Sequence, residues 1–276
     1  MAESAGIRDA RGRDLPPGER HRLVSLVPSL TETVIELGAA GRLVGRTRFC
    51  IHPADALAGV PAVGGPRDPD LEAVADLAPD LVLACLEENR AMDLAALEAA
   101  GVPVHAVHPR RLDDVDALLA DYGRLLGTAG AAAAFRADLA AARREAAAAR
   151  RTPARRAAAL IWKDPWMAAG GGTYIDAVLA ELGLANVYGD REGYGQTTLA
   201  EMAGRRPGLV LLPSEPYAFG PAEADELAAL AELAAAGAAP RTLLVEGESL
   251  TWYGTRTPRG LRDLVARLGA AEEDEA

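Results

Sequence analysis

The chain has 276 residues, of which 50% are hydrophobic and 25% charged, a globular composition with enough length for one large or two ordinary domains. The formal net charge of −11 argues against a nucleic-acid groove, because such a groove needs a basic stripe. No apolar run approaches the roughly 18 residues that a membrane span requires.

Residues 1–22 carry charges throughout and hold no apolar stretch of the kind found in a secretory signal. We therefore expect a disordered polar leader and a cytoplasmic protein. In that compartment Cys50 and Cys85 are expected to be reduced thiols and not a disulfide.

Residues 23–127 alternate short apolar strands with helices, which predicts a parallel sheet with crossover helices. Ser29 and Glu32 have the spacing of a capping box at the start of the first helix. The predicted strands are 22–27, 43–46, 60–63, 81–84 and 102–107. The predicted helices are 29–37, 70–77, 91–100 and 113–126.

Residues 128–151 predict one long helix, because alanine is the best helix former and arginine, leucine and glutamate follow closely. Thr128 provides an N-cap, and Thr152-Pro153 stops the helix. We interpret this segment as a rigid connection between a lobe of residues 23–127 and a lobe of residues 152–276. The alternative is an ordinary surface helix of one larger domain.

The strand and helix pattern restarts after the long helix. The predicted strands are 156–162, 187–188, 209–212 and 242–245. The predicted helices are 173–182, 199–203, 222–236 and 258–268, before a frayed acidic tail at 272–276. The predicted fold class is therefore α/β, with two Rossmann-like lobes, each with a parallel sheet, joined by one long helix. Ligands of open parallel sheets bind outside the carboxyl ends of the strands, so two such lobes predict a cleft lined by those loops.

The second lobe's loops are rich in aromatic residues. The chain holds three Trp, six Tyr and three Phe, and most of them follow the long helix. Flat rings at a cleft suit a planar or macrocyclic ligand. We expect at least one of Trp162, Trp166 and Trp252 to form a ligand platform, whereas Tyr174 and Tyr188 are expected to pack in the core.

Other motifs carry weaker signals. Cys50-x-His52, with Cys85 on a neighbouring strand end, would suit a soft metal but lacks the paired spacing of structural zinc sites. The run Gly170 to Gly172 precedes a helix and would suit an anion, without the glycine pattern of dinucleotide sites. Glu87, Glu88 and Arg90 either pair with one another or contact a ligand. No recognisable catalytic triad or metalloprotease motif occurs.

Four segments resemble the cobalamin- and ferric-siderophore-type substrate-binding proteins of the helical-backbone metal receptor superfamily. They are RLVSLVPSLTETVIELGAAGRLVGRT, VGGPRDPDLEAVADLAPDLVLA, GGGTYIDAVLAELGLANVYGD and TTLAEMAGRRPGLVLLPSE. The resemblance covers almost everything after residue 22. It implies the architecture of class III periplasmic binding proteins, with a corrinoid, haem or iron chelate bound in the interlobe cleft and delivered to an ABC permease. Such a group would be the ligand and not a resident cofactor.

The resemblance also implies one surface glutamate per lobe that docks on permease arginines, and the matching positions are Glu72 and Glu201. The alternative for both is an ordinary exposed carboxylate. Transporting members are exported, and the chain as written carries no signal peptide or lipobox cysteine. A start codon misassigned downstream of such a signal is one explanation, and an enzyme that uses Cys50, His52 and Glu88 is the competing function.

The strand-end loops supply the predicted ligand-binding residues. They are Pro28, Ser29, Arg48, Phe49, Cys50, Glu88, Asn89, Arg90, Trp162, Lys163, Trp166, Glu215, Tyr217, Trp252 and Tyr253.

Overall fold

The computed structural model describes residues 6–15, 18–228 and 240–273. The chain divides into two compact units. Unit 1 consists of Met1–His108, Asp113–Ala137 and Tyr253–Arg256, and unit 2 of Pro109–Leu112, Asp138–Trp252 and Thr257–Ala276. In the described part of the chain, no helix is both long and apolar enough to cross a membrane.

The polar leader is not disordered between residues 6 and 15, so that prediction is wrong there. Strands β1 (Ile7–Arg8) and β2 (Asp14–Leu15) form an antiparallel hairpin. Ile7 and Leu15 are buried although charged residues surround them in the sequence. Because Ile7 and Leu15 are far apart in the chain, they form no continuous apolar run. The composition of the leader therefore did not indicate that they are buried.

Unit 1 is built on a parallel sheet with the strand order β4-β3-β5-β6. Every residue of β5, LVLAC, is buried, as expected for a strand covered on both faces. The strands are β3 (Leu23–Ser25), β4 (Leu43–Arg46), β5 (Leu81–Cys85) and β6 (Val104–Val107). The helices that follow them are α1 (Pro28–Val34), α2 (Leu71–Asp76), α3 (Ala91–Ala99) and α4 (Leu112–Leu125).

Two local predictions in unit 1 are wrong. Pro28 is the first residue of α1 and Val27 precedes it without a side-chain cap, so Ser29 and Glu32 form no capping box. Both side chains are buried, and Glu32 pairs with Arg256 instead. Residues 60–63 form no strand and contribute only a single bridge, between Arg46 and Ala62.

The predicted long helix is α5 (Ala129–Ala149), 21 residues and therefore about 32 Å long. Its buried residues are small except for Leu139, and they lie on one side at the spacing of a helix face: Ala132, Leu139, Ala142 and Ala146. Residues up to Ala137 belong to unit 1 and the remainder to unit 2. The small side chains let neighbouring elements approach the helix axis closely.

Unit 2 has a mixed sheet with the order β10-β8-β7-β11-β12, and β9 pairs with the start of β7. β8 and β10 are antiparallel strands that the sequence did not predict, and β9 ends just before the predicted strand 187–188. The strands are β7 (Arg155–Trp162), β8 (Met167–Ala169), β9 (Leu184–Asn186), β10 (Tyr194–Gln196), β11 (Leu209–Pro213) and β12 (Arg241–Val245).

Two helices of unit 2 begin at ordinary capping residues, with Thr173 and Thr198 accepting the first-turn N–H groups of α6 and α7. The helices are α6 (Tyr174–Glu181), α7 (Leu199–Arg205), α8 (Pro221–Ala228), α9 (Gly247–Thr251) and α10 (Thr257–Glu273). α9 was not predicted. Residues 229–236 of one predicted helix and residues 274–276 of the predicted tail lie outside the described residues.

Candidate functional site

Asn89 connects the loops at the carboxyl edge of the unit 1 sheet. Its side-chain oxygen accepts a hydrogen bond from the N–H of Cys85 at 2.8 Å. Its amide nitrogen donates to the carbonyls of Leu26 at 3.3 Å and Pro66 at 2.9 Å. Because the buried amide is engaged on both sides, Asn89 holds these loops in register, a positioning role rather than the ligand contact that we predicted.

The two cysteines are free and buried. The Sγ of Cys50 lies 3.0 Å from the Thr31 hydroxyl and 3.1 Å from the Thr47 hydroxyl. Burial raises the pKa of the Cys50 thiol, and it raises the pKa of Cys85 to about 12. Both groups are therefore neutral thiols at pH 7 and poor nucleophiles. The burial of Cys50, with 1% of the residue exposed, counts against the predicted contact between this residue and a ligand.

Metal ligation by Cys50, His52 and Cys85 finds no support in the geometry. Within the described residues, no group of three or more His, Cys, Asp or Glu side chains is arranged to hold a metal ion. His52 is partly exposed and follows an exposed residue, Ile51, whereas Cys50 points into unit 1.

Large apolar side chains are exposed on the loop that follows β4 and in the first turn of α3, which follows the loop after β5. Phe49 is 51% exposed, Ile51 53% and Met92 70%. The Arg48 guanidinium lies 4.8 Å from the centre of the Phe49 ring and donates to Asp68 at 3.1 Å. Solvent-exposed apolar groups beside a cation favour a ligand with an apolar face.

Phe49 and Arg48 are among the predicted ligand-binding residues, whereas Ile51 and Met92, which are at least as exposed, are not. Ile51 lies two residues beyond Phe49, with buried Cys50 between them, so its alternation with Phe49 was a usable signal. Met92 follows the loop in the first turn of α3 and carries no distinguishing sequence signal.

The charged residues that we predicted as ligand contacts in the loop after β5 form hydrogen bonds within unit 1. The Tyr253 hydroxyl donates to Glu88 Oε1 at 3.1 Å, and Arg90 donates to both carboxylate oxygens of Asp93, at 2.7 and 3.1 Å. Burial raises the pKa of Tyr253 well above its usual range, so the tyrosine remains a hydrogen-bond donor. Tyr253 therefore orients Glu88.

The tryptophans of unit 2 differ in exposure. Trp162, the last residue of β7, is 42% exposed and meets the Tyr217 ring edge-on at 5.8 Å between centroids. Trp166 is only 9% exposed and lies parallel to Phe219 at 6.1 Å within the hydrophobic core. Trp162 with Tyr217 therefore forms an accessible aromatic surface, whereas Trp166 packs inside unit 2. Tyr174 and Tyr188 are buried, as expected.

Lys163 is oriented by carboxylates beside the aromatic surface. Its Nζ donates to Glu226 at 2.7 Å and to Glu223 at 3.4 Å, and it lies 5.3 Å from the centre of the Trp166 ring. The hydrogen bond to Glu226 is the main reason that the pKa of Lys163 is raised. Its ammonium group therefore stays charged, and its partners limit its freedom to contact a ligand.

Trp252 and Glu215 form a second internal contact in unit 2. The Trp252 indole N–H donates to Glu215 Oε1 at 2.5 Å, and the Thr251 hydroxyl donates to the same oxygen at 3.3 Å. Trp252 is 7% exposed. The arrangement fixes the loop after β11 to α9, so burial counts against Trp252 as a ligand platform.

The two predicted docking glutamates have different surroundings. Glu72 is exposed in the first turn of α2. Glu201 in α7 accepts from Arg205 at 2.9 Å and also pairs with Arg191. The hydrogen bond from Arg205 is the largest cause of the lowered pKa of Glu201. Glu201 is thus already neutralised by arginines of this chain.

Comparison with known proteins gives a family match over most of the chain. The model of a family described as periplasmic binding protein matches residues 23–239. Cobalamin-binding proteins from two strains of Halobacterium salinarum are 31% identical over 175 residues, which cover 62% of this chain and 47% of theirs. The chain thus matches about half the length of these curated relatives.

Solved structures give the same architecture. A periplasmic haem-binding protein from Pseudomonas aeruginosa is 30% identical, with a TM-score of 0.75, and the alignment covers 90% of this chain and 92% of that one. The periplasmic vitamin B12-binding protein BtuF of Vibrio cholerae is 20% identical, with a TM-score of 0.76 over 92% and 98% of the two chains. At that identity the second similarity concerns the fold alone.

Proposed function

Because the chain belongs to the periplasmic binding protein family, we propose that it is a substrate-binding protein whose ligand is a corrinoid or another metal-bearing macrocycle. The observation that carries the proposal is the exposure of apolar and aromatic side chains at or just beyond the carboxyl ends of strands, where open α/β sheets bind ligands. Phe49 and Ile51 provide such a surface in unit 1, and Trp162 does so in unit 2.

The names of the relatives support the choice of ligand class. The Halobacterium salinarum proteins are described as cobalamin-binding and the Pseudomonas aeruginosa protein as haem-binding. Both ligands are flat macrocycles with a central metal, and exposed rings and aliphatic side chains supply contact area for a flat face. We place a corrinoid first and haem second.

A binding role without catalysis fits the geometry better than an enzyme that uses Cys50, His52 and Glu88. The Cys50 thiol is buried between two threonine hydroxyls, and Glu88 accepts a hydrogen bond from Tyr253. A general base or nucleophile would need to be accessible and to have a pKa near the working pH. Burial raises the pKa of Cys50, which keeps the thiol protonated and makes it a poor nucleophile.

The decisive experiment is a calorimetric and tryptophan-fluorescence titration of purified protein with cyanocobalamin, dicyanocobinamide and haemin. The Trp162→Ala variant should bind about two- to tenfold more weakly, since aromatic stacking contributes about 0.5–1.5 kcal/mol beyond area burial. Tyr194→Ala, which removes another exposed ring of unit 2 outside the predicted set, should bind like the parent protein. Absence of binding to all three ligands would refute the proposal.

The same variants separate a ligand platform from a core residue. Trp166→Ala should cost roughly 3–5 kcal/mol of unfolding free energy, because it removes a large ring from a packed core. Trp162→Ala should change the unfolding midpoint little. The reverse order of stability effects would overturn the assignment of Trp162 to the ligand surface.

We extend the proposal to delivery of the ligand to an ABC permease, with Glu72 as the more accessible docking carboxylate. Uptake of labelled cobinamide by cells of the source organism should fall with Glu72→Arg, while ligand affinity of the purified variant is unchanged. Delivery to a permease for uptake requires the protein to lie outside the cytoplasmic membrane, whereas a cytoplasmic location is compatible with ligand binding alone. Fractionation of cells with a chromosomal C-terminal tag distinguishes the two, and recovery of the tagged protein only in the cytoplasm would contradict the extension to permease delivery.

A further inference from the structure

The hairpin of β1 and β2 is too short to be stable alone. Each of its strands has two residues, with Ile7 opposite Leu15 and Arg8 opposite Asp14. An isolated two-stranded hairpin is marginal in water even when it is longer. Its stability must therefore come from contacts with the remainder of unit 1.

Those contacts are made on β6, the last strand in the sheet order of unit 1. The N–H of Ala10 donates to the carbonyl of Ala106 at 2.8 Å, and Arg11 donates to the carbonyl of Val104 at 2.9 Å. The N–H of Ala106 donates to Asp9 Oδ2 at 3.4 Å. The turn of the hairpin thus satisfies backbone groups that an edge strand would otherwise leave unpaired.

Asp9 is the centre of this contact and is 6% exposed. Besides Ala106, its carboxylate accepts from the N–H groups of Arg11 at 2.9 Å and Arg13 at 3.0 Å, and from Arg11 Nε at 2.7 Å. Glu98 of α3 pairs with both arginines. Burial acts to raise the pKa of Asp9, and the hydrogen bonds outweigh it, so the pKa lies below its usual value.

We propose that residues 7–15 form an edge cover, held on β6 by the Asp9 carboxylate, that prevents a second copy of this chain from pairing with β6. The edge cover is separate from the proposed ligand surface and does not depend on it. The exposed edge of every copy would carry the same donors and acceptors, so two copies could pair symmetrically through β6.

The edge cover should open without unfolding unit 1. Apart from the hydrogen bonds at β6, its buried apolar residues are Ile7 and Leu15. The sheet interior, including Val82 in β5 and Val24 in β3, is fully buried by other elements. Local opening of a short peripheral segment requires much less free energy than global unfolding.

The test uses Asp9→Asn, which keeps the side-chain shape and removes the charge. Asp14→Asn is the matched control, because Asp14 lies on the same hairpin with its side chain 72% exposed. Trypsin should cut Asp9→Asn after Arg11 and Arg13 about ten- to hundredfold faster than the parent protein, the ratio expected for loss of a hydrogen bond to a charged group. Asp14→Asn should be cut at the parent rate.

Light scattering after size exclusion completes the test. Asp9→Asn should show a concentration-dependent dimer, with Arg11→Gln behaving alike and Asp14→Asn staying monomeric. Two results would overturn the proposal. One is equally fast cleavage at Arg46 and Arg90 inside unit 1, which would make Asp9 a stabiliser of the whole unit. The other is a monomeric Asp9→Asn whose hairpin is cleaved rapidly.

Discussion

His105 is a neutral histidine inside unit 1. It is 2% exposed, its ring centre lies 5.8 Å from that of Tyr122, and in the described part of the chain its Nδ1 has no hydrogen-bond partner. Burial lowers the pKa of His105 and exceeds the opposing influence of Asp121 and Asp9, while Arg11 adds to the lowering. The folded protein therefore binds this proton less readily than the unfolded chain.

This difference predicts a pH-dependent stability. The contribution of His105 is fully present above the unfolded pKa of about 6.5 and is lost as pH falls from there towards the lower folded pKa. The free energy of unfolding in urea should therefore fall between pH 7.5 and 5.5, by up to about 1.4 kcal/mol per pH unit. His105→Phe, which keeps an aromatic contact with Tyr122, should flatten the dependence.

The matched control for this measurement is His108→Gln, since His108 is partly exposed at the end of β6. Circular dichroism during urea unfolding at three pH values measures all three proteins. If the unfolding free energy of His105→Phe changed with pH as steeply as that of the parent protein, a group other than His105 would be responsible.

At the scale of elements, the segment Tyr253–Arg256, which lies between α9 and α10 in the chain, belongs to unit 1. Arg256 forms two hydrogen bonds with the Glu32 carboxylate in α1, at 2.7 and 2.5 Å, and both side chains are largely buried. The N–H of Thr255 donates to the Thr33 hydroxyl at 3.3 Å. Gly254 has a φ of 98° and its Cα lies against the Thr33 side chain, where a Cβ would collide.

Arg256→Ala should destabilise the protein by about 3–5 kcal/mol, because it leaves the Glu32 carboxylate buried and unpaired. Arg262→Ala is the control: Arg262 in α10 pairs with Asp138 and Glu145, whose side chains are about half exposed, so its loss should cost about 0–1 kcal/mol. Chemical unfolding of the two variants measures the difference. Equal destabilisation by the two variants would mean that the burial of the Arg256–Glu32 pair does not increase the cost of breaking it.

At the scale of the whole molecule, ligand binding should appear as thermal stabilisation. A ligand that binds only the native state contributes about 2.7 kcal/mol when its free concentration is about 100 times its Kd. For a chain of 276 residues, whose entropy of unfolding is roughly 2.1 cal/mol/K per residue, that corresponds to a rise in Tm of about 5 °C.

Differential scanning calorimetry with and without cobinamide or haemin measures this shift. Free Co²⁺ or Fe³⁺ should leave Tm unchanged, because the described residues hold no arrangement of metal-binding side chains. A shift caused by the free ions and not by the macrocycles would contradict recognition of the flat ligand.

The sequence alone was sufficient for the class of fold and the family. Strand and helix periodicity predicted two α/β lobes, and the alanine-rich composition of residues 128–151 predicted α5 to within about two residues at each end. These features are local: apolar runs, helix propensity and capping threonines act over a few residues. The family was indicated by the resemblance of four longer segments of the sequence, and the family model matches residues 23–239.

Tertiary structure decided which predicted side chains are accessible. Trp162 at the end of β7 and Trp166 in the loop that follows are four residues apart, yet one is 42% exposed and the other 9%, because Phe219 from another loop packs on Trp166. Glu32 had the spacing of a capping residue and instead pairs with Arg256, 224 residues away. Burial and ion pairing depend on partners distant in the chain, and local sequence patterns do not contain them.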